Sequence, residues 1–484
     1  MAEKSRAQVA YSDLREWIEE ARKLGELKEV EGASLEKDIG MATEMLNHSQ
    51  PSPAVIFDKI PGIQPGYRII TNIFGDKRMN MTFGLLTSLN KLDLSEALKG
   101  VMQNLTPISH RVVETGPVLE NVIMGDGVDI LKFPSPLWHE NDGGRYIGTG
   151  SYNITIDPEE GWVNLGTYRG MVHDSKNVGF CASPGKHGRI HRDKFFAKNK
   201  PCPVAMVVGG DPLLYLMASN EFPYGVCEYD MAGAYRGQPY EVIKGKVTGL
   251  PIPANAEIVF EGYSYPDVRR KEGPFGEWTG YYGGGVREEP VIEVKAIYHR
   301  NHPIVYGSPP QRPPDEYGRY RSIVRSSLLK EALEKAGIPD VHSVWAHEVG
   351  GARMLLAVSI KQRYAGHSRQ TGHVAAMCHV GAFSGKYVIV LDEDVDVSDL
   401  EAVIWAMITR SDPGESIEFI RRAWTSSLDP RIPPEEKAKG NTTNSRAIID
   451  ATRPWEWRDK FPAVNSPSPE VAKLARERFG YLLR

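Results

Sequence analysis

The sequence predicts an α/β protein with a β-rich central part, and three observations lead to this prediction. Amphipathic helical patterns come before residue 105, and short strand-like runs separated by glycine- and proline-rich segments fill residues 120–310. After an apolar helical pattern at 323–336, strand-like and helical stretches alternate. Because this alternation is typical of α/β domains, we expect two large parts joined by a helix.

The N-terminal segment predicts three helices. The first covers residues 12–25, with Ser12 as its candidate N-cap and one apolar stripe along its length. The second follows Ser34, and the third covers 94–104. Between them, residues 50–80 alternate short apolar runs with proline and glycine, which indicates strands and turns.

The C-terminal segment begins with a helix that Gly337 ends. Strand-like runs follow, namely VWAHEV, MLLAVSI and KYVIVLD. Helices are predicted near 367–380 and 398–409, and a last one at 468–478. We find no internal repeat, coiled coil or low-complexity tract.

Composition and charge exclude several classes of protein. Lys and Arg total 58 and Asp and Glu total 62, so the net charge is −4. This balance argues against a nucleic-acid or anionic-membrane surface, because phosphate binding needs an excess of basic residues. No run approaches 18 apolar residues and the N-terminus lacks the apolar stretch of a signal peptide, so we expect a cytoplasmic protein without a membrane span.

The cysteines indicate neither a disulfide framework nor a cysteine-type zinc site. They lie far apart in the chain and form no C-x-x-C motif. The four are Cys181, Cys202, Cys227 and Cys378.

Two motifs in the central part of the sequence contain residue types that can bind metal ions or carboxylic acids. WVNLGTYRG contains Asn164 and Arg169, which point to opposite faces if the segment is extended but lie on a turn if its glycines bend it. PGKHGRIH contains His187 and His191, which share one face of a helix. Because the glutamate of H-E-x-x-H is absent, the pair does not predict a zinc protease, and each motif alone also fits a structural or solvated role.

Two acidic motifs follow. Glu221 and Glu228 lie in the loop-like segment ASNEFPYGVCEYD, where solvated carboxylates are the simpler interpretation. Glu272 and Glu277 bracket the Gly-Pro-Phe-Gly of EGPFGEW, directly before several aromatic residues. Two carboxylates on a tight turn beside aromatic rings can have separated pKa values, as acid–base catalysis at neutral pH requires. A solvated loop is the alternative.

Two further motifs fail their tests. VLDEDVDVSD starts like a calcium loop, but Val397 and Val403 occupy the positions that need glycine and glutamate. We predict a solvated strand end there, followed by a helix that Ser398 caps. GGRYIGTG is not a dinucleotide-binding fingerprint.

Taken in order, these motifs resemble the UbiD family of reversible decarboxylases. The resemblance includes the order Asn164–x4–Arg169, His187, Glu228 and Glu272–x4–Glu277. It spans most of the chain. The segments that carry it are DLREWIEEARKLGELKEV, TGPVLENV, FPSPLWHENDGGRYIGTG, PGKHGRIH, EGPFGEW and VLDEDVDVSDLEAVIWAMITR.

The resemblance implies prenylated FMN as cofactor, with its phosphate bound through Mn2+ or Mg2+ and with K+ nearby. The divalent-metal ligands correspond to Asn164, His187 and Glu228, and this set of one amide, one imidazole and one carboxylate suits such an ion. The potassium site corresponds to the residues Ala218, Ser219 and Glu221.

The resemblance also implies residues along the cofactor. Arg369, in GHSRQ, stands where a phosphate-contacting lysine is common in the family. The other cofactor-binding residues are Asn164, Leu165, Gly166, Thr167, Tyr168, Arg169, Lys186, His187 and Glu228.

The family's reaction implies roles for three charged residues. Loss of CO2 from an sp2 carbon leaves a carbanion that needs an electron sink, which the family's cofactor provides through a covalent adduct with the substrate. By resemblance, Arg169 binds the substrate carboxylate, Glu277 donates the proton that replaces CO2, and Glu272 pairs with Arg169. The implied substrate is an aromatic, heteroaromatic or α,β-unsaturated carboxylic acid.

The implied architecture has three domains. A β-rich, split-barrel-like flavin-binding domain covers 1–320, including N-terminal α/β elements over 1–118. A linking helix covers 321–337, and an α/β oligomerisation domain covers 338–484. The implied partners are a further copy of the chain, in a homodimer or a hexamer, and a flavin prenyltransferase that supplies the cofactor.

Two alternatives belong to other functional classes. One is a metal-dependent hydrolase that uses His187, Glu228 and bound water. The other is a non-catalytic flavin-binding subunit of a carboxylase complex, against which the presence of Arg169, Glu272 and Glu277 argues.

Overall fold

The computed structural model describes residues 8–483 and has three parts that follow one another along the chain. Residues 1–7 and 484, at the outer ends of the predicted first and last domains, lie outside the described residues. The predicted α/β class is confirmed, because helices and strands mix in the first and last parts and strands dominate the middle.

The N-terminal part is a small sheet covered by short helices. Its helices are α1 (Leu14–Lys23), α2 (Asp38–Asn47), α3 (Asp76–Thr82), α4 (Lys91–Leu98) and α5 (Val101–Asn104), and its strands are β1 (Leu27–Glu31), β2 (Ala54–Asp58) and β3 (Arg68–Thr71). The sheet order is β1, β2, β3 and then the strand Ile304–Gly307, which pairs in parallel with β3. This late strand ties the N-terminal part to the central one.

Two predicted helix boundaries in this part are corrected. The first helix has Asp13 rather than Ser12 as its N-cap, because the Asp13 carboxylate accepts the free backbone N–H of Glu16. The helix predicted over 94–104 is two helices, since Gly100 adopts a left-handed φ of 72° between them.

The central part consists mainly of short strands. The strands are β4 (Arg111–Val112), β5 (Asn121–Met124), β6 (Tyr146–Gly148), β7 (Ser151–Ile156), β8 (Val163–Gly166), β9 (Gly170–Met171), β10 (Asn177–Gly179), β11 (Cys202–Val208), β12 (Glu241–Lys244), β13 (Pro251–Pro253), β14 (Ile258–Ser264), β15 (Arg269–Glu272), β16 (Arg287–His299) and β17 (Ile304–Gly307). The helices are α6 (His187–Ala197), α7 (Pro212–Ser219) and α8 (Glu228–Arg236). The main sheet has the order β10, β16, β14, β11, β7, β8, and β5 and β15 also pair with the long β16.

Both faces of this sheet are buried. Along β11, Ala205 and Val207 join the core that contains the N-terminal helices, whereas Val204, Met206 and Val208 join a second core on the other face. Because side chains alternate along a strand, a run of apolar residues such as β11 serves both cores.

The main sheet is open between β8 and β10. Among the described residues, two isolated bridges cross this opening, Arg169 to Cys181 and Val172 to Val178. The sheet is therefore a barrel-like arrangement that does not close, and Arg169 lies at the split.

The C-terminal part follows a long linking helix. This helix, α9, covers Glu316–Lys335, so it starts before the predicted residue 321. The strands are β18 (Val341–Ala346), β19 (Leu355–Ile360), β20 (Tyr387–Asp392), β21 (Ile417–Trp424) and β22 (Thr443–Ala451). The helices are α10 (His367–Met377), α11 (His379–Ala382), α12 (Leu400–Arg410), α13 (Pro434–Ala438) and α14 (Pro469–Phe479). β19, β20 and β22 are parallel, and the antiparallel β18 and β21 form the edges.

The acidic run after β20 differs from its prediction. Asp392 and Asp394 are not simply solvated, because both pair with the buried guanidinium of Arg410. The helix that follows has Asp399 as its N-cap rather than Ser398, since the Asp399 carboxylate accepts the first backbone N–H groups.

The remaining elements are short 3-10 helices. They cover Pro117–Glu120, Gly125–Gly127, Ile130–Lys132, Glu348–Gly350, Arg458–Lys460 and Gly480–Leu483. All four cysteines are free. Within residues 8–483, no helix combines the length and the apolar character that a membrane crossing requires.

A cavity of about 690 Å³ lies between the N-terminal part, the start of the linking helix and the C-terminal part. Its walls include Lys91 from the N-terminal part, Arg312 and Arg319 at the start of the linking helix, and Trp345 and Glu348 from the C-terminal part. None of the predicted site residues lines it, so it is a gap between domains rather than the predicted site.

Candidate active site

A cluster of charged groups in the central part joins Arg169 to two glutamates. Arg169 Nε and Nη2 donate to the two oxygens of Glu272, both at 2.8 Å, and Nη1 donates to Glu277 Oε1 at 2.9 Å. Arg169 follows β8 at the split in the sheet, Glu272 ends β15, and Glu277 lies on the next turn. The structure thus brings together the three residues predicted to carry the chemistry.

The turn between the two glutamates is held by a glycine contact. Gly273 has a left-handed φ of 88°, and its carbonyl oxygen lies 2.0 Å from the point where a Cβ on Gly143 would stand. Gly143 N–H also donates to the Pro274 carbonyl at 2.8 Å. Because only glycine allows this approach, the double glycine in NDGGRYIG is part of the site's framework.

Aromatic groups enclose the same cluster. The Tyr146 hydroxyl donates to Glu272 Oε1 at 2.8 Å, and the Tyr146 ring stacks on Phe275 with centroids 3.8 Å apart. The Arg169 guanidinium lies 5.4 Å from the Phe275 ring centroid. Sequence reasoning missed Tyr146, although it lies in one of the motifs that carried the family resemblance.

Burial separates the two carboxylates. The Glu272 side chain is 1% exposed and its oxygens accept three hydrogen bonds, whereas the Glu277 side chain is 15% exposed and accepts one from Arg169. Burial raises the pKa of Glu277 above its usual value, although the Arg169 guanidinium opposes this shift. Glu277 is therefore the group of the pair that is poised to carry a proton.

The predicted divalent-metal ligands also approach one another. Asn164 lies on β8, His187 is the first residue of α6, and Glu228 is the first residue of α8. Glu228 Oε2 accepts from the backbone N–H of Leu165, next to Asn164, at 2.7 Å. The Tyr168 hydroxyl accepts from Gly188 N–H at 3.0 Å, which brings the start of α6 to the same place.

This second cluster suits a cation. Glu228 is 2% exposed, and burial raises its pKa to about 8. Burial likewise lowers the pKa of His187, which leaves its imidazole neutral and able to bind a metal. Among the described residues, Glu228 has no positive partner. A buried carboxyl group of this kind, beside an amide and a neutral imidazole, fits a divalent ion that supplies the missing positive charge.

The segment between Asn164 and Arg169 packs inward. Leu165 is 1% exposed, and a Cβ on Gly166 would stand 2.2 Å from the Tyr168 hydroxyl oxygen. Thr167 is half-buried at the bend after β8. The bend carries the chain from the Asn164 cluster to Arg169.

The other predicted cofactor and potassium residues form a rim. Lys186 Nζ donates to Glu221 Oε1 at 3.0 Å, and both side chains are about half exposed, at 46% and 50%. Ala218 and Ser219 are buried at the end of α7, just before Glu221. These residues adjoin the Glu228 cluster along the chain.

Arg369 is the predicted site residue that the structure does not bring to the others. It lies on α10, where Nη1 donates to Glu418 at 2.6 Å and Nη2 to the Glu415 carbonyl at 2.8 Å. The positive charge of Arg369 is therefore paired with the carboxylate of Glu418 on β21. His191 on α6 is fully buried and is linked to Asn164 through Thr155, whose hydroxyl lies 3.0 Å from His191 Nδ1 and accepts from Asn164 Nδ2 at 3.5 Å.

One further group of metal-binding residue types lies close together. Ligand atoms of His110, Cys227 and Asp230 are within 4.8 Å of one another. Asp230 Oδ1 already accepts from the His110 backbone N–H at 3.0 Å, and burial raises the pKa of Cys227 so that it stays a thiol. The contacts are those of a structural cluster.

Comparison with known families places most of the chain, between residues 18 and 451, in one group. Residues 18–98 match the N-terminal domain of 3-octaprenyl-4-hydroxybenzoate carboxy-lyase, residues 110–313 match its Rift-related domain, and residues 320–451 match its C-terminal domain. A pyrrole-2-carboxylic acid decarboxylase of Pseudomonas aeruginosa is 30% identical over 473 residues, with 94% of each chain covered. A phenolic acid decarboxylase of Sedimentibacter hydroxybenzoicus is 33% identical over 460 residues, with 92% of each covered.

Solved structures give the same result. The open form of the S. hydroxybenzoicus vanillic acid decarboxylase has a TM-score of 0.85 at 31% identity, covering 98% of this chain and 100% of its own. Its closed form has a TM-score of 0.79 at 31% identity, with 98% and 99% covered. The UbiD-class enzyme HmfF of Pelotomaculum thermopropionicum, solved with FMN, has a TM-score of 0.82 at 26% identity, with 96% and 99% covered, and an evolved dimeric form of it was solved with prFMN.

The buried charge of Glu228 makes a prediction for the metal-free, flavin-free protein. The pKa of Glu228 is 4.5 in the unfolded chain and about 8 in the folded protein. Between these pH values the unfolded chain binds fewer protons than the folded protein, so the stability of the fold falls as pH rises from 4.5 to 8. At pH 8 we expect Glu228→Gln to have an unfolding free energy a few kcal/mol higher than that of wild type, and therefore a higher melting temperature. At pH 5 this difference should disappear. Thermal melts across that pH range measure it.

The control is Glu241→Gln, which changes an exposed glutamate on β12 and should melt like wild type at both pH values. Adding 1 mM Mn2+ should stabilise wild type but not Glu228→Gln. Parallel pH profiles for wild type and Glu228→Gln would show that Glu228 carries no uncompensated charge.

Proposed function

The chain belongs to the UbiD family of carboxy-lyases, and from this premise we propose that it catalyses the reversible non-oxidative decarboxylation of an aromatic, heteroaromatic or α,β-unsaturated carboxylic acid. The observation that carries the proposal is the guanidinium of Arg169 held between Glu272 and Glu277. Family membership favours this reaction over the metal-dependent hydrolase and the non-catalytic subunit.

Arg169 binds the substrate carboxylate through the donor that Glu277 occupies in this structure. Glu272 holds Nε and Nη2 with two hydrogen bonds of 2.8 Å, so it fixes the plane of the guanidinium. The Nη1 bond to Glu277 is a single contact with a less buried partner, and a substrate carboxylate can replace it. Glu272 therefore orients Arg169, and the substrate carboxylate replaces Glu277 as the acceptor at Nη1 of Arg169.

The exchange prepares Glu277 as an acid. Arg169 lowers the pKa of this buried carboxyl, so loss of that contact raises the pKa further and favours uptake of a proton from solvent. When the bond between the substrate carbon and its carboxylate breaks, CO2 leaves and the electron pair stays with the carbon. Neutral Glu277 then delivers its proton to that carbon, and solvent reprotonates Glu277.

Asn164, His187 and Glu228 would hold Mn2+ or Mg2+ at the phosphate of prenylated FMN. The buried carboxylate of Glu228 and the neutral imidazole of His187 support this assignment. Lys186 and the segment from Leu165 to Tyr168 would line the cofactor, and K+ would lie beside Ala218, Ser219 and Glu221. When bound, prenylated FMN supplies the electron sink that the reaction requires.

The substrate would bind between the central and C-terminal parts, and closure of the hinge would exclude water. The S. hydroxybenzoicus vanillic acid decarboxylase is known in open and closed forms, which supports such a movement. Arg369 donates to Glu418 in this structure, so contact between Arg369 and the cofactor phosphate would need a rearrangement of α10.

The protein would work as a homodimer or a hexamer that depends on a flavin prenyltransferase. Large apolar side chains are exposed on α12 and β21 of the C-terminal part, where a second copy of the chain would cover them. They are Trp405, Ile408, Phe419 and Trp424.

The proton-donor role of Glu277 is tested by Glu277→Gln. The amide keeps the shape of the side chain but cannot deliver a proton, so we expect wild-type flavin content and a fall in turnover of at least about 100-fold. Solvent-deuterium exchange into the product should fall equally. CO2 release and deuterium incorporation by mass spectrometry measure both effects.

Glu293→Gln is the matched control, because it changes a glutamate on β16 that pairs with Lys295 outside the site. It should retain wild-type turnover. Unchanged turnover and exchange in Glu277→Gln would exclude Glu277 as the donor.

The metal ligands are tested by Asn164→Ala and His187→Ala. Each removes one ligand of the ion that binds the cofactor phosphate, so we expect protein co-expressed with the prenyltransferase to purify with about one tenth of the wild-type flavin and metal or less. Absorption spectra and elemental analysis measure the content. His342→Ala, which changes an exposed histidine on β18, is the control for a histidine outside the site and should retain full flavin and metal. Full flavin and metal in both ligand variants would overturn the assignment.

A further inference from the structure

Three buried arginines meet where the linking helix contacts the C-terminal part. Arg321 and Arg325 lie one turn apart on α9, and Arg353 lies just before β19. Their relative exposures are 7%, 8% and 5%. None of them belongs to the residues assigned to the reaction above.

Aromatic side chains hold two of these guanidinium groups in place. Arg353 Nη2 donates to the Tyr317 hydroxyl at 3.0 Å, and its guanidinium lies 5.2 Å from the Trp278 ring and 4.6 Å from the Phe383 ring. The Arg321 guanidinium lies 5.1 Å from the Tyr317 ring. The groups are therefore positioned by packing rather than by carboxylates.

Several donors of these arginines have no acceptor. Among the described residues, the Nε atoms of Arg321, Arg325 and Arg353, and Nη1 of Arg353, are buried without a hydrogen-bond partner. Arg325 uses Nη2 to donate to the Val380 carbonyl at 2.5 Å. Buried donors that remain unpaired cost stability, so their retention points to an acceptor that the chain itself does not provide.

The three arginines have too few carboxylates nearby to balance their positive charge. The nearby carboxylate of Glu221 already accepts from Lys186 Nζ at 3.0 Å. The same excess appears in Tyr317, whose pKa would be raised by burial but falls to about 8 beside Arg321 and Arg353, and in Arg325, whose pKa falls to about 9 through burial and its two neighbours.

We propose that Arg321, Arg325 and Arg353 form an oxyanion-binding site that receives a carboxylate or phosphate from a ligand bound between the domains. A planar guanidinium with two free N–H groups suits such an oxyanion. Tyr317 is half-buried and the Lys186–Glu221 pair is exposed, so the cluster can be reached from the proposed cofactor side.

The position favours a second acidic group on the substrate as the oxyanion, and this choice rests on the proposed function. Trp278, which contacts Arg353, directly follows Glu277, the proposed proton donor. A substrate whose first carboxylate binds Arg169 would then extend its other end toward Arg353. The cofactor phosphate is the second source of the same chemistry, because Lys186 and Glu221 lie beside the proposed metal site.

Two binding measurements distinguish these sources. The first is the Kd of FMN for the apoprotein in the presence of Mn2+. The second compares benzoate with terephthalate, which adds one distal carboxylate to the same ring, on protein loaded with FMN. Both use Arg321→Gln, Arg353→Gln, the charge-retaining Arg321→Lys, and the control Arg363→Gln, which changes an exposed arginine paired with Asp340.

If the substrate supplies the oxyanion, wild type binds terephthalate about tenfold more tightly than benzoate or better. Arg321→Gln and Arg353→Gln then remove this preference without changing the Kd of FMN, Arg321→Lys retains part of it, and Arg363→Gln retains all of it. If the cofactor supplies it, the two glutamine variants instead weaken FMN about tenfold or more and leave the two acids equal. Either result supports the oxyanion site and names its source.

The proposal is overturned if the glutamine variants bind FMN and both acids as wild type does, or if Arg363→Gln has the same effect as they do. Two variants on different elements guard against misfolding of one, and circular dichroism checks both. Because these are binding measurements, they stand even if no tested acid releases CO2, a result that would count against the proposed function alone.

Discussion

The central constraint on this structure is the burial of the Glu272 carboxylate beside the guanidinium of Arg169. Glu272 is fully buried, and a buried carboxylate is tolerated when its oxygens are paired and hydrogen-bonded. Arg169 and Tyr146 supply those partners, and each comes from a different segment: Arg169 from the split in the main sheet, and Tyr146 from β6. Gly143 lets that segment approach the Glu272 turn closely enough. The open edge of the sheet, the glycine contact and the aromatic stack thus serve one ion-pair network.

The rest of the site is defined by ionisable groups that have too few partners of opposite charge among the described residues. In the part of the chain that the structure describes, Glu228 is a buried carboxyl group without a cationic partner. By contrast, Arg321 and Arg325 on α9 and Arg353 just before β19 are buried positive groups with unpaired donors. Apolar residues at these positions would make a more stable protein. The opposite signs suit a bound assembly with a metal ion at one end and an acidic group at the other, so the free energy lost in folding is recovered when the ligands bind.

The parts of the fold that depend on neighbouring residues in the sequence could be predicted, whereas those that depend on distant contacts could not. The apolar stripe of α1 and the alternation of strands and helices after Gly337 depend on nearby residues, and these predictions are confirmed. Helix caps at Asp13 and Asp399 were missed by one residue, because adjacent serine and aspartate side chains compete for the same backbone groups. The pairing of Ile304–Gly307 with β3 depends on contacts more than 200 residues apart, which no local pattern contains.

The candidate site divides in the same way. The order of motifs indicated Arg169, Glu272 and Glu277 together, and their hydrogen bonds agree with the pairing of Glu272 and Arg169 expected from the family resemblance. Tyr146 was missed because its role depends on a contact across 126 residues. The arginine cluster was missed because α9 looks like an ordinary charged helix until its burial on nearly all sides is known.

That burial gives α9 a mechanical role. Near its start, Glu316 accepts from the backbone N–H of Phe74 at 2.9 Å and Arg319 donates to Asn72 at 2.8 Å, so the helix is anchored to the N-terminal part. Further along, Arg325 donates to the Val380 carbonyl of the C-terminal part. One rigid helix therefore carries both attachments and, between them, Arg321 of the oxyanion cluster. Because a ligand at that cluster contacts α9 and Arg353 of the C-terminal part together, its binding energy bears directly on the angle between the domains.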